Sequence, residues 1–131
     1  MLLEKPWGNL KAYTLNQPCT VKLVTVEAGQ ETSLHYHKLR DDMWIMLDDG
    51  LEVTIGDEVF LPGEGEEFMV PAMGLHKIRS LGKRGRVLEI DIGFTSEDDN
   101  YRINDAYGRK LEEKEELLVV LMMMMLASAL R

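Results

Sequence analysis

The chain has 131 residues, with 23 acidic against 15 basic side chains and a formal net charge of −8. This length predicts one domain with a sizeable core, and the acidic balance argues against a nucleic-acid surface. The single cysteine, Cys19, excludes an internal disulfide and fits a reducing compartment. The first residues contain no long apolar run before a small-residue cleavage site. We therefore expect no signal peptide and a cytoplasmic protein.

Short strand-like runs separated by turn residues occupy the chain from Thr20 to Phe94. The runs are Thr20–Glu27, Met43–Leu47, Leu51–Ile55, Glu58–Leu61, Glu67–Val70, Lys77–Ser80 and Arg86–Phe94. They are rich in β-branched residues or alternate apolar with polar, and no helical pattern lies between them. This spacing predicts an all-β barrel or sandwich. The large aromatic residues in or beside the runs, Trp7, Trp44, Phe68 and Phe94, favour core or barrel-end packing over sugar stacking.

The three histidines of the chain fall in two segments and predict a metal site. His35 and His37 are two residues apart, so on a strand they share one face, and carboxylates follow a few residues later. His76 comes after several strand-like runs that can fold back beside the first segment. Imidazoles and a carboxylate suit Zn, Mn, Fe, Ni or Cu. The plainer alternative is that His35 and His37 are solvated polar residues on a half-exposed strand.

The spacing of these residues resembles the two motifs of the cupins. In the first motif a glycine, a His-x-His pair and an acid correspond to Gly29, His35, His37 and Asp42. In the second motif the corresponding residues are Gly65, Pro71, His76 and Ser80, with Met73 where a glycine is expected. The resemblance implies a double-stranded β-helix, a jelly-roll barrel. It also implies a divalent metal ion held by His35, His37, Asp42 and His76.

Within the cupins the chain is most similar to the type II mannose-6-phosphate isomerases and the C-terminal domain of mannose-1-phosphate guanylyltransferases. Three landmarks carry this likeness: Lys5-Pro6-Trp7-Gly8, the segment from Ser33 to Trp44, and Asp105-Ala106-Tyr107-Gly108-Arg109. His35 stands where this subfamily has Gln, and Asp42 replaces a Glu, so Asp41 is an alternative ligand. The resemblance implies interconversion of mannose 6-phosphate and fructose 6-phosphate.

That reaction needs a phosphate clamp and a base. Because guanidinium groups hold phosphate well, we expect Arg40, Arg79 and Arg109 to bind substrate, with Arg102 and Lys22 as further candidates. For the base the sequence offers carboxylates such as Asp41 or Glu67, and none stands out. Two alternatives stay open: a metal-dependent oxygenase, and a non-catalytic scaffold with an appended or engineered assembly helix.

The tail after the predicted barrel (1–109) predicts a helix and not further strands. Residues 110–131 begin with a charged, helix-forming stretch and continue as an apolar run from Leu117 to Leu130. A helix over that run is about 21 Å long, too short for a hydrocarbon core of about 30 Å. We expect it to pack against a second copy or against the barrel, and we predict a homodimer or higher homo-oligomer formed through the barrel and this helix, with no membrane partner.

Overall fold

The structure is a computed structural model that describes residues 1–112 and 114–129, with side chains of the final helix described from residue 118 onward. It consists of eleven strands followed by one helix. The strands are β1 (Leu2–Lys5), β2 (Gly8–Lys11), β3 (Cys19–Val26), β4 (Leu34–Tyr36), β5 (Arg40–Met46), β6 (Leu51–Ile55), β7 (Glu58–Phe60), β8 (Glu67–Val70), β9 (His76–Ser80), β10 (Gly85–Gly93) and β11 (Tyr101–Asn104), and the helix is α1 (Lys114–Ala129).

Two antiparallel sheets build the barrel. The four-stranded sheet has the order β3-β10-β5-β8 and the five-stranded sheet the order β11-β4-β9-β6-β7. Neighbours that are distant in sequence, such as β4 and β9, are what a jelly roll requires. The two sheets share one core, in which Trp44, Met46 and Val87 from the first meet Val53 and Ile78 from the second. The predicted all-β jelly-roll barrel with a C-terminal helix is confirmed.

The predicted strands agree with the observed ones to within a few residues at each end. Three strands escaped the sequence analysis: β1 and β2, which form a separate hairpin, and β11, which pairs with β4. The expectation for the aromatic residues holds for Trp44, which is buried, and for Phe68, which packs against the core. It is wrong for Trp7 and Phe94, which are 72% and 63% exposed, because neither lies on an inward-facing strand position.

Helix α1 packs against the chain's own barrel along one stripe. Val120 is fully buried, and Met124 and Ser128, spaced four residues apart on the same face, are partly buried. Val120 joins Tyr36 and Leu75 in a second core cluster under the helix. Packing on the barrel was one of the two predicted alternatives. Glu113, Leu130 and Arg131 lie outside the described residues.

The other faces of α1 stay apolar and exposed. They carry Leu118, Val119, Leu121, Met122, Met123, Met125 and Leu126. Among the helices of the described residues, none is long and apolar enough to span a bilayer.

Candidate metal centre

The three histidines converge inside the barrel. His35 lies on β4, His37 directly follows it, and His76 opens β9, which pairs with β4 so that His35 and His76 are cross-strand partners. One ring nitrogen from each histidine lies within 4.8 Å of the others. The pairing of β4 with β9 therefore brings the three histidines together, as the sequence predicted.

The turn before β9 positions His76. Gly74 donates its backbone N–H to the Pro71 carbonyl at 2.9 Å, and a side chain at Gly74 would collide with that oxygen. Met73 adopts a left-handed conformation, with φ of 70°, at the position where the cupin motif has a glycine. That conformation costs about 1–2 kcal/mol for a residue with a side chain. The Met73 N–H donates to the His37 carbonyl at 2.7 Å, which ties the turn to the first histidine segment.

Backbone carbonyls orient all three imidazole rings. The Nδ1 atoms of His35, His37 and His76 lie 2.8, 2.6 and 2.8 Å from the carbonyl oxygens of Ser33, Asp99 and Gly74. Because a carbonyl can only accept, each Nδ1 carries the proton and each Nε2 presents a lone pair. This is the arrangement in which imidazoles bind metal ions, with the second nitrogen held by an outer partner.

Asp42 adds a carboxylate to the cluster. Its Oδ2 lies 3.5 Å from Nε2 of both His37 and His76. Oδ2 of Asp42 and Nε2 of His76 are both buried and have no hydrogen-bond partner. Buried polar atoms without partners are costly. A divalent cation bound between them would satisfy both, so the residues present fit a metal ion.

Burial sets the charge state of these groups. It lowers the pKa of His35 to about 3, with a further contribution from His37, and it lowers the pKa of His76 well below the ordinary value. The pKa of His37 falls for the same reason. The imidazoles are therefore neutral near pH 7 and ready to bind a metal. Burial, reinforced by the Glu89 charge, raises the pKa of Asp42 to about 8.

A charged network continues from Asp42 along the inner face of the four-stranded sheet. Arg40 is buried; its Nε donates to Oδ1 of Asp42 at 2.8 Å and its Nη2 to Nε2 of His37 at 3.0 Å. Its Nη1 also lies 3.4 Å from Asp91, which Lys22 contacts at 2.9 Å. Trp44 donates from Nε1 to Glu89 at 2.9 Å. The network fixes the carboxylates beside the histidines.

A cavity of about 530 Å³ opens above the histidines. Its lining includes all three imidazoles, Arg40, Trp44 and Ile78. Its remaining charged or polar lining comes from Lys22, Glu31, Thr32, Ser33, Glu89, Glu97, Asn100, Tyr107 and Arg109. An open, polar cavity with a cluster of metal-type ligands on its wall is a typical small-molecule site.

Of the three arginines predicted to bind the substrate phosphate, Arg40 and Arg109 line the cavity and Arg79 does not. Arg109 lines the cavity and pairs with Asp105 at 2.7 Å. Arg40 also lines it, but its guanidinium is engaged by the histidine and carboxylate cluster. Arg79 does not line the cavity: it lies on the opposite face of β9 from His76, where it is about half exposed. Strand alternation counted from His76 already places Arg79 outside. Arg102 lies on β11 opposite His35 and is absent from the cavity lining.

The carboxylates considered as bases lie outside the cavity. Asp41 lies on the other face of β5 from Asp42, and its carboxylate accepts a hydrogen bond from the Ala72 amide at 2.7 Å. Asp42, and not Asp41, therefore faces the imidazoles. Glu67 pairs with Lys11 at 2.6 Å and accepts a hydrogen bond from Tyr13.

Three functional residues escaped the sequence analysis. Glu89 and Asp91 alternate with apolar Leu88 and Ile90 on β10, and the usual inside-out pattern would place the acids outside. Asp99 is buried in the loop before β11. Its carboxylate accepts hydrogen bonds from the backbone N–H groups of Lys38 and Leu39, at 2.9 and 3.0 Å, while its carbonyl holds His37. An acidic residue in an acidic loop is too common a pattern to have identified Asp99 from the sequence.

Known proteins resemble this chain in sequence. The family described as "Mannose-6-phosphate isomerase C-terminal" matches residues 2–105. The xanthan biosynthesis protein XanB of Xanthomonas campestris pv. campestris is 36% identical over 107 residues, covering 80% of this chain and 23% of that protein. The mannose-1-phosphate guanylyltransferase ManC of Salmonella typhimurium is 33% identical over 107 residues, covering 80% of this chain and 22% of its own length. The chain thus spans less than a quarter of these relatives.

Solved structures show the same fold. A cupin 2 conserved barrel domain protein from Rhodopseudomonas palustris superposes with a TM-score of 0.60 at 15% identity, covering 85% of this chain and 69% of that one. At this identity the likeness speaks for the fold alone. Together with the family match over most of its length, it shows that the chain is a cupin and belongs to the family of the mannose-6-phosphate isomerase C-terminal domain.

Proposed function

We propose that this chain binds one divalent metal ion and interconverts mannose 6-phosphate and fructose 6-phosphate. The observation that carries the proposal is the set of three imidazoles, each with Nδ1 held by a carbonyl and each lining the 530 Å³ cavity. The family match and the names of the relatives, which concern xanthan biosynthesis and mannose 1-phosphate, support a mannose-derived substrate.

The metal ligands in this proposal are His35, His37 and His76 through Nε2 and Asp42 through Oδ2. A bound divalent ion would polarise the carbonyl of the sugar and so favour loss of a proton from the neighbouring carbon. Three imidazoles and one carboxylate suit Zn, Mn, Fe, Ni or Cu.

Glu89 is the proposed proton carrier between the two carbons. It lines the cavity beside the histidines and is held by Trp44, so its carboxylate is fixed in direction. Burial, the largest effect, and its hydrogen bond with Asp91 raise its pKa, which brings a carboxylate closer to the range suited to a general base. It would take the proton from C2 of the aldose and return it to C1 of the enediol.

Arg109 and Lys22 are the proposed contacts for the phosphate. Both line the cavity, and the side chain of Arg109 is 46% exposed, so it can reach a ligand in the mouth. Lys22 is paired with Asp91 at 2.9 Å, with its side chain 32% exposed toward the same space. Arg40 acts in this proposal by holding Asp42 in place.

The test combines metal content with proton exchange. Purified protein is compared with a His37→Ala/His76→Ala double variant by elemental analysis, and about one metal ion per chain is expected only in the unaltered protein. Isomerisation is then followed in D₂O, where deuterium enters C2 of mannose 6-phosphate. Glu89→Gln is expected to keep the metal and to lose at least a hundredfold in exchange rate, whereas Glu64→Gln, an exposed matched control, keeps both. Full exchange in Glu89→Gln would contradict the assignment.

A second candidate function is a non-catalytic sugar-binding barrel. The observation that favours it is Arg40, whose guanidinium occupies Nε2 of His37 at 3.0 Å and so competes for one of the four ligand atoms, while it also holds Oδ1 of Asp42 at 2.8 Å. Under this reading the protein takes up no stoichiometric metal from Zn, Mn, Fe, Ni or Cu, yet binds a mannose phosphate. Uptake of one metal ion per chain would exclude it.

A further inference from the structure

An asparagine in the cavity wall has a buried oxygen without a hydrogen-bond partner. Asn100, in the loop directly before β11, lines the cavity and is partly buried. Its Oδ1 atom is buried and accepts no hydrogen bond from any of the described residues. A buried amide oxygen without a donor destabilises a folded protein, so native structures rarely keep one without a reason. At the wall of a binding cavity, that reason is a ligand that supplies the donor.

The hydroxyl side chains in the described lining of the cavity are engaged within the protein. The hydroxyl of Thr32 accepts a hydrogen bond from a backbone N–H of β9 at 2.9 Å. Oγ of Ser33 lies 2.9 Å from Nδ1 of His35. Tyr107 donates its hydroxyl to a glutamine side chain in the loop before β4 at 2.7 Å. Asn100 differs from these residues because its amide oxygen is not engaged, so it is available to a ligand.

The backbone on both sides of Asn100 is held in place. The preceding residue, Asp99, accepts hydrogen bonds from two loop N–H groups through its carboxylate and contacts Nδ1 of His37 through its carbonyl at 2.6 Å. The following residue, Tyr101, pairs with Tyr36 of β4, and the two rings stack with centroids 5.1 Å apart. The last torsion of an asparagine side chain is broad, so the amide can still turn its oxygen toward a ligand bound beside His37.

The chemistry of an amide indicates which ligand group fits. An amide and a hydroxyl group can each donate and accept, whereas a phosphate dianion only accepts and an ammonium group only donates. We propose that Asn100 is a specificity-determining residue that accepts a hydrogen bond from one hydroxyl of the sugar bound at the metal centre; this rests on the proposed function, in which the sugar is mannose 6-phosphate. A site built to pair with a hydroxyl rejects an analogue that lacks it, because the protein group is then left unpaired.

Stability and binding should change in opposite directions when this amide is removed. Leucine branches at the same atom as asparagine and has no polar atoms, so Asn100→Leu removes the unpaired oxygen. We expect its midpoint of urea denaturation to stay the same or rise, and its affinity for mannose 6-phosphate to fall about tenfold or more. A residue that only supports the fold would lose stability instead. The matched control is Asn104→Leu, at an exposed position of the same strand that does not line the cavity, and it is expected to change neither quantity.

A cycle between protein and sugar identifies the hydroxyl. Titration calorimetry measures the binding of mannose 6-phosphate and of its 2-, 3- and 4-deoxy analogues to the metal-loaded full chain and to both variants. We expect one analogue to bind the unaltered protein about tenfold more weakly than mannose 6-phosphate does. Asn100→Leu should bind that analogue and mannose 6-phosphate equally, because the contact is already absent. Asn104→Leu should behave as the unaltered protein does.

The outcomes separate the role of Asn100 from the proposed reaction. Unchanged affinity of Asn100→Leu for mannose 6-phosphate would overturn the assignment, and so would a loss of stability in that variant or a penalty for every deoxy analogue that simply adds to the penalty of the substitution. The isomerase proposal would survive these results if the unaltered protein still exchanges deuterium into mannose 6-phosphate. The expected binding cycle without any exchange would contradict the isomerase and keep the role of Asn100. No binding of mannose 6-phosphate at millimolar concentration would overturn both.

Discussion

Metal binding at pH 7 should release about one proton, and that proton should come from the carboxylates and not from the imidazoles. The pKa of Asp42 is raised to about 8 by burial and by the Glu89 charge, so about nine tenths of the protein carries a proton there at pH 7. A metal ion that binds the carboxylate must displace it. The histidines add nothing, because burial lowers their pKa values and they are already neutral.

The sign and size of the pH dependence follow from this balance. Apparent affinity for the metal should rise about tenfold from pH 7 to pH 9 and level off above the pKa of Asp42, because the competing proton is then gone. Exposed histidines would instead give a rise centred near pH 6.5. Since Asp42 lies beside Glu89 and Asp91, the proton belongs to that cluster of carboxylates and not to one atom.

Titration calorimetry with Zn²⁺ in buffers of different ionisation enthalpy counts the released protons. We expect about 0.9 proton at pH 7, about half a proton at pH 8 and almost none at pH 9.5. The control, Asp42→Asn, should bind more weakly and release fewer protons than the unaltered protein at pH 7 and pH 8, because it removes one carboxylate of the cluster. Release of two or more protons near pH 6.5 would refute the argument, since it would mean that the imidazoles are charged before binding. So would an undiminished release in Asp42→Asn.

Three further predictions concern stability and orientation. Asp99→Ala leaves the N–H groups of Lys38 and Leu39 without an acceptor and so loosens the loop whose Asp99 backbone carbonyl orients His37. We expect a loss of about 2–5 kcal/mol in unfolding free energy and a 10–100-fold weaker metal site, measured by denaturation and calorimetry; unchanged metal affinity would contradict it. Trp44→Phe leaves Oε1 of Glu89 unpaired and should cost about 1–3 kcal/mol in urea denaturation, and no loss would mean that water replaces the donor. Val120→Asp should detach α1 and reduce the helical dichroism signal, whereas Met125→Asp should not; equal spectra would show that the stripe does not hold the helix.

The sequence was a good guide wherever one residue spacing determines one geometry. Two histidines two apart share a strand face, and strands β3 to β10 follow from alternation and turn residues. The short elements β1, β2 and β11 escaped because runs of four residues are too short to carry a periodic signal. The tail was identified as a helix from its composition, but which stripe it buries depends on the barrel surface beneath it.

For β5 and β10, sequence reasoning fails for a physical reason. Alternation gives two faces but does not say which face is inside, and the usual choice puts the apolar face there. In this chain the inward phase holds Arg40, Asp42, Glu89 and Asp91 for the site as well as the core residues Trp44, Met46 and Val87, so apolar residues occupy both faces and alternation does not identify the inside.

By itself, the sequence determined the cupin barrel, the convergence of His35, His37 and His76, and an apolar C-terminal helix. Local periodicity and motif spacing depend on residues that are close in sequence, so they do not change with the details of tertiary packing. Only the tertiary structure decided that Arg40 is held by Asp42, that Glu89 reaches the cavity and that Asp99 orients His37. These facts depend on contacts between residues up to 62 positions apart, which strand pairing creates and no local pattern encodes.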